Sequence, residues 1–313
     1  MLHVRLIAPE SVAERTYAVL RDTVGVTNVI VLPGAARVPP GDVLLCDVAR
    51  ESASDLVSHL RDLGLHRTGA IELAAVDASL SASSRQAEQE APGTAGDAVV
   101  WEEVESRTSE ESTLTVSYLI FLVIATLIAG IGVLLDSPIL IVGAMVVGPE
   151  FGPLAALCVA LVERRPALAR RSLVALTAGF PVAIAIAFGA AWLGRAIGLI
   201  DKAMLTASRP LTTFIWHPDG FSVVVALLAG VAGILSLTAA KSGALIGVLI
   251  SVTTVPAAGN LAVALAFADG PQALGSGLQL VVNLGCLVVA GTLTLQIQRW
   301  VSDRQRARRP APG

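Results

Sequence analysis

The residue whose chemistry stands out most is Glu150, which lies in a Gly-Pro-Glu-Phe-Gly-Pro run at 148–153 inside a long apolar segment. An ionisable group in a membrane interior is costly unless it is paired or hydrated, so it usually has a function. Glu150 could bind a cation or transfer a proton. Two structural interpretations stay open: its carboxylate accepts the free N–H groups of its own half-helix, or the break lies nearer the membrane surface.

A second proline, Pro256, interrupts an apolar segment that resembles the first, and it corresponds to Pro153. Backbone groups freed by a break in hydrocarbon must be buried in protein or face a wet cavity. If Pro153 and Pro256 each open a half-helix, two N-terminal ends with partial positive charge point toward the membrane midplane. Such ends attract anions and carboxylates. The alternative is that both prolines only kink helices for packing.

Neutral polar residues in the second half of the apolar region either line a pathway or form hydrogen bonds between helices. Together with the two breaks they give a predicted site for a substrate or ion. Its members are Gly148, Pro149, Glu150, Gly152, Pro153, Thr253, Thr254, Pro256, Asn260 and Asn283.

Other reactive residue types do not form a recognisable active site. Cys46, Cys158 and Cys286 have no metal-like spacing, and no histidine falls within an apolar segment. The Glu102-Glu103 pair with Arg107 has the spacing of an intramembrane protease motif but lies in a polar stretch without partner histidines. We therefore expect no catalytic residues, no metal, no cofactor and no enzymatic activity.

Composition places most of the chain after residue 114 in a membrane: 54% of residues are hydrophobic, 15% are charged and the mean hydropathy is +0.72. A spanning helix needs roughly 20 apolar residues. Six segments qualify, near 115–135, 138–162, 171–194, 221–240, 243–267 and 274–298. The segments LIAGIGVL at 127–134 and LLAGVAGIL at 227–235 open two halves of matching layout. Three spans per half predict an inverted repeat, as in many transporters.

Basic residues cluster after the second, fourth and sixth predicted spans, which all end on one side in a six-span arrangement. The positive-inside rule makes this side cytoplasmic. The chain begins without the basic-then-apolar pattern of a secretory signal. We therefore expect a multi-pass protein of the inner (plasma) membrane with both termini in the cytoplasm.

Residues 1–77 alternate between strand-like and helix-like patterns and predict a cytosolic βαββαβ, ferredoxin-like α/β domain. Residues 78–113 are rich in small, polar and acidic side chains and predict a flexible linker that ends in a short acidic helix. The six-helix membrane domain then spans 114–300, and a basic cytosolic tail covers 301–313.

The run Gly-Ala-Met at 143–145, followed by Pro149 and Pro153, gives a GAM-x-x-x-P-x-x-x-P pattern after a cytosolic α/β arm. With these residues the chain resembles, over roughly 1–300, a bacterial and archaeal integral-membrane family known as domain of unknown function 389 (DUF389). The resemblance implies a polytopic inner-membrane protein and brings no activity with it.

Two functions follow from the residues. The first is a transporter or channel for a small, anionic solute or ion, with its site between the broken helices and a regulatory or assembly domain in the cytosol. The alternative is a membrane-anchored sensor or scaffold whose α/β domain binds a metabolite or a protein partner. The expected partners are the lipid bilayer, the small solute or ion and a second copy of the chain in a homo-oligomer, a dimer, because exposed edge strands need covering. No feature indicates nucleic-acid binding.

Overall fold

The computed structural model describes residues 1–76, 79–91, 99–206, 208–239 and 253–307, without the side chains of 107, 111, 206, 302, 303 and 305–307. The chain forms two compact units, Met1–Val104 and Glu105–Gly313.

The first unit is a small antiparallel sheet packed against helices, and its element order is the βαββαβ order expected from the sequence. The strands form one sheet in the order β2-β3-β1-β4, and every neighbouring pair is antiparallel. The elements are β1 (Leu2–Ala8), α1 (Glu10–Asp22), β2 (Val26–Arg37), β3 (Pro40–Val48), α2 (Arg50–Asp62), α3 (Leu65–Thr68) and β4 (Ala70–Ala75).

Alternation along the central strands explains this fold. Leu2, Val4 and Leu6 of β1 are buried, whereas the intervening His3 and Arg5 are exposed. One face of the sheet therefore packs against the helices, because side chains along a strand alternate between its two faces.

The stretch expected to be a flexible linker carries more structure than the sequence indicated. The expected acidic helix is present as α5 (Trp101–Glu111), and a further helix, α4 (Ala82–Glu90), precedes it. Val100 is part of the buried core of the first unit. The first turn of α5 is bound to α2, because the Ser54 hydroxyl donates to Glu102 at 3.0 Å and Arg50 pairs with Glu103 at 3.0 Å.

The second unit is helical. Its helices are α6 (Val116–Leu134), α7 (Pro138–Val147), α8 (Phe151–Val162), α9 (Pro166–Ala196), α10 (Lys202–Thr206), α11 (Gly220–Thr238), α12 (Thr254–Ala266) and α13 (Gly270–Ala307), with a short 3-10 turn at Thr213–Ile215.

Four described helices, α6, α9, α11 and α13, are long and apolar enough to cross a membrane. The pair α7 and α8 is bent by 51° at its break and makes a fifth span if it is counted as one. The expected six spans are therefore not confirmed. Of the expected span 243–267 the structure describes only the short helix α12, and the rest of that segment lies outside the described residues.

Helix α12 lies at the centre of the second unit, where it packs against α6, α9 and α13. Nearly all its residues are buried. In contrast, the long helices α6, α9, α11 and α13 each expose large apolar side chains. Apolar outer faces around a buried centre are the arrangement of a multi-pass membrane protein.

Candidate functional site

The break between α7 and α8 results from Pro149. A residue that precedes proline is disfavoured in the helical conformation, and Gly148 is extended, with a ψ of 126°. Helix α7 ends there, and α8 begins after Glu150. Pro153 lies in the first turn of α8 and Pro256 in the first turn of α12. A proline is tolerated there because its missing N–H would have no partner within the helix.

The carboxyl group of Glu150 joins the N-terminal ends of α8 and α12. Glu150 directly precedes α8, and its Oε1 accepts a hydrogen bond of 2.7 Å from the hydroxyl of Thr254, the first residue of α12. Glu150 is only 5% exposed. Its Oε2 has no hydrogen-bond partner among the described residues. The structure therefore places one buried carboxyl oxygen, without a partner among the described residues, beside two helix N-termini.

Gly148 allows this close packing. A Cβ at position 148 would collide with Glu150 Oε2 and would lie 2.8 Å from the Cγ2 of Val255. The absence of a side chain thus lets the break pack directly against the first turn of α12.

A second group of polar residues begins at Thr253, the residue before α12. Its hydroxyl accepts hydrogen bonds from Asn283 Nδ2 at 2.8 Å and from Gln279 Nε2 at 3.2 Å. The Oε1 of Gln279 is buried and has no partner among the described residues. Both donors lie on α13, so this group ties α13 to the start of α12.

A third group lies farther along α12. Asn260 donates to the hydroxyl of Ser276 at 2.7 Å and accepts from Arg209 Nη1 at 3.4 Å. The other terminal nitrogen, Arg209 Nη2, donates to Gln272 Oε1 at 2.6 Å. Arg209 is 6% exposed. No described carboxylate oxygen lies within ion-pair distance of it, so its guanidinium is held by neutral oxygens.

Asp136 forms hydrogen bonds with the connection between α10 and α11, the segment that contains Arg209. Its Oδ1 accepts from the hydroxyl of Thr212 at 2.8 Å, and its Oδ2 accepts from the backbone N–H of Leu211 at 3.3 Å. Asp136 and Asp269 also attract the guanidinium electrostatically at longer range. The connection between α10 and α11 is thereby held so that Arg209 reaches α12 and α13.

Four buried residues on one face of α13 form what we call the polar row. They are spaced alternately four and three residues apart, which keeps them on one helix face. The members of the polar row are Gln272, Ser276, Gln279 and Asn283.

The structure brings together most of the residues expected from the sequence, in two places. Gly148, Glu150 and Thr254 meet at the break, whereas Thr253 and Asn260 contact the polar row, of which Asn283 is a member. The remaining four shape the backbone at the two helix starts: Pro149, Gly152, Pro153 and Pro256.

Sequence reasoning missed Arg209, Gln272, Ser276 and Gln279. The helical spacing of the polar row was visible in the sequence and could have identified three of them. Arg209 gave no such signal, because it lies in an irregular connection whose path a pattern does not predict.

Comparison with known proteins supports the resemblance noted in the sequence. Residues 145–289 match the sequence model of a family described as Domain of unknown function (DUF389). The matched range includes Glu150, α12 and the polar row. An uncharacterised protein of Methanocaldococcus jannaschii is 23% identical over 208 residues. The matched region is 64% of this chain and 62% of that curated relative. No solved structure matches the chain.

Proposed function

Neither the family description nor the relative supplies an activity, so we propose one from the geometry: the chain is a transporter or channel for a small anionic solute or ion. The solute passes along the polar row and the facing residues of α12. The proposed activity is movement across the inner (plasma) membrane without chemical change.

One observation carries this proposal: a row of buried polar side chains lies between two helices in the interior of an apolar unit. Polar residues within membrane helices either bond neighbouring helices or line a pathway. In a purely structural network each polar atom finds a partner, because a buried atom without one costs free energy. Gln279 Oε1 and Glu150 Oε2 have none among the described residues, which favours a pathway.

The preference for an anion rests on charge. Arg209 is buried among neutral oxygens, so its positive charge is not cancelled by a contacting carboxylate. The N-terminal ends of α8 and α12 add partial positive charge near Glu150 and Thr253, at the opposite end of the polar row from Arg209. A negatively charged solute would therefore be attracted by Arg209 at one end of the polar row, and by the helix starts at the other end when Glu150 carries no charge.

The proposal includes two halves of opposite orientation and cytoplasmic termini. Helices α6, α8 and α9 start at Val116, Phe151 and Pro166, and helices α11, α12 and α13 start at Gly220, Thr254 and Gly270, with nearly the same spacing. Helix α8 packs on both α9 and α13, and α12 likewise packs on both α13 and α9. This matching packing of corresponding helices supports two repeated halves around a central site.

Flux in proteoliposomes tests the proposal. Wild type is compared with Gln279→Leu for uptake of chloride, sulfate, phosphate, succinate, sodium and potassium. Gln296→Leu is the matched control, because Gln296 lies on the same helix but is exposed. We expect wild type and Gln296→Leu to move one class of anion and Gln279→Leu to lose at least nine-tenths of that flux.

Equal flux in Gln279→Leu and Gln296→Leu would contradict the proposed pathway. Absence of flux for every ion tested in wild type would contradict transport itself. Thermal unfolding of each purified variant checks that a loss of flux is not a loss of fold.

A second candidate, assembly through the α/β unit, is favoured by strand β2. It is an edge strand of the sheet, and Ile30, Val31 and Leu32 are exposed on it, Ile30 at 51%. A long, exposed apolar edge strand readily pairs with another chain. We propose that two copies pair through β2, and that this unit serves as an assembly or sensing module.

The oligomeric state of the full chain in detergent tests this second candidate. We expect wild type to be a dimer by light scattering and Ile30→Lys to shift toward the monomer. Arg5→Lys, on another strand and exposed, is the control and should remain a dimer. A monomeric wild type, or a dimer unaffected by Ile30→Lys, would contradict pairing through β2.

A further inference from the structure

The break between α7 and α8 places a single acid where two helix N-termini meet. Glu150 precedes α8 and is hydrogen-bonded to the first residue of α12, and both helices are longer than eight residues. Its Oε2 is buried and has no partner among the described residues. These two observations indicate an acid that exchanges a ligand rather than one that only caps a helix.

Opposing interactions act on the charge of Glu150. Burial disfavours the carboxylate, because an ionised group loses its hydration. The hydroxyl of Thr254 and the partial positive charge of two helix ends favour it. A carboxyl group under opposing influences of this kind can gain and lose a proton during a transport cycle.

The charged and titratable groups around Glu150 do not supply a permanent counterion. On α6 the facing group is Tyr118, which interacts electrostatically with Glu150 and has a buried hydroxyl without a hydrogen-bond partner among the described residues. The contact from α12 is the neutral Thr254. No described Lys, Arg or His lies within ion-pair distance of the carboxyl group.

The close packing selects a proton over a metal cation. Gly148 lies directly against Glu150 Oε2, and Val255 packs against Gly148. An alkali or alkaline-earth cation needs several oxygen ligands around it. Among the described residues, the side chains recorded as interacting with this carboxyl group are Thr254, by a hydrogen bond, and Tyr118, electrostatically, and no cluster of three metal-ligating side chains is found.

We propose that Glu150 binds the proton that is co-transported with the anionic solute, an inference that rests on the proposed function. When Glu150 is ionised, its negative charge occupies the N-terminal ends of α8 and α12 and repels the solute. When a proton adds to the carboxylate, those ends become free to attract the anion. One proton enters with the solute and leaves with it on the other side, so a monovalent anion moves without net charge.

Infrared spectroscopy of the purified full chain tests proton binding without any need for transport. All Asp and Glu side chains contribute to the C=O band that grows on acidification, so Glu150 is identified by subtracting the Glu150→Gln spectrum from that of wild type. We expect this difference to contain one carboxylic-acid component that appears on acidification. Glu163→Gln is the control, because Glu163 directly follows the last residue of α8 and is paired with Arg299 at 2.7 Å. The same band in wild type and Glu150→Gln would overturn the proposal.

Thr254→Val gives a second, nearly isosteric test. The variant removes a hydrogen bond that favours the carboxylate, and such a bond to a charged group corresponds to about one to two pH units. We expect the half-point of the band to move to higher pH by that amount. An unchanged half-point would contradict the role of this contact.

Coupling is tested with a pH gradient across proteoliposomes, using whichever of chloride, sulfate, phosphate or succinate wild type moves fastest. We expect an inward proton gradient to accumulate that anion at least tenfold in wild type and in Glu163→Gln. In Glu150→Gln we expect anion exchange without accumulation. Accumulation in Glu150→Gln would overturn coupling through this residue.

Two further outcomes separate the possible failures. Anion movement in wild type that ignores the pH gradient, or that follows a sodium or potassium gradient instead, would overturn the proton assignment and leave the proposed function intact. Absence of anion movement in wild type would overturn the proposed function and the coupling together.

Discussion

The closest approach between α6 and α12 gives the sharpest stability prediction. Gly259 of α12 lies against α6, and a Cβ placed on it would be 2.7 Å from the backbone nitrogen of Gly130, 2.8 Å from Ala129 Cβ and 2.9 Å from the carbonyl oxygen of Thr126. Two of these three atoms belong to the backbone. The change Gly259→Ala therefore forces the two helices apart.

The size of the effect follows from these distances. Non-bonded heavy atoms prefer about 3.5 to 4.0 Å, so the helices must separate by roughly 1 Å. Overpacking of this kind costs about 1 to 3 kcal/mol. Alanine has a higher intrinsic helix propensity than glycine, which stabilises the variant by up to about 1 kcal/mol and partly offsets this cost. A matched control isolates the packing cost, because the helix preference is common to both variants.

Gly285→Ala is that control, since Gly285 lies on the exposed face of α13 and an added Cβ there meets no atom within 4 Å. Thermal unfolding of the detergent-purified proteins measures the difference. Each kcal/mol corresponds to about 2 to 4 °C for a unit of this size, so Gly259→Ala should unfold about 2 to 12 °C below Gly285→Ala. Equal unfolding temperatures for the two variants would refute the close packing of α12 on α6.

Two remaining predictions concern Cys46 in the core of the α/β unit, where burial raises the pKa of the thiol to about 12. With Cys158 and Cys286 replaced by alanine, we expect maleimide at neutral pH to modify Cys46 only after denaturation, and rapid labelling of the native protein in mass spectra would contradict its burial. The unfolded chain ionises this thiol from about pH 9.0 and the native unit only near 12, so unfolding becomes easier as the pH rises between these values, by about 1.4 kcal/mol per pH unit. Denaturant titrations should show this fall in the free energy of unfolding in wild type and not in Cys46→Val. An identical pH dependence of the two proteins would contradict the prediction.

Local patterns in the sequence predicted the α/β unit well. Strands β1 and β3 alternate buried and exposed residues, and a period of two is read directly from the chain. The long apolar helices were equally clear, because a membrane span is defined by its own length and hydropathy. Pro149 likewise marked the end of α7, since proline acts on the backbone of its immediate neighbour.

The count of six spans is not confirmed, because it included the Pro256-interrupted segment 243–267 as a span, and only part of that segment lies within the described residues. Hydropathy identifies an apolar stretch but does not show where the helix within it starts. Within this stretch the described helix covers Thr254–Ala266.

The sequence alone determined the polar residues, the prolines and the apolar faces of the membrane unit, because each is a property of one segment. Only the tertiary structure decided that Glu150 meets Thr254, that Asn260 meets Ser276 and that Arg209 reaches α12. These contacts join residues far apart in the chain, and they depend on how whole helices pack. Packing is determined by the summed fit of many side chains, which no single segment encodes.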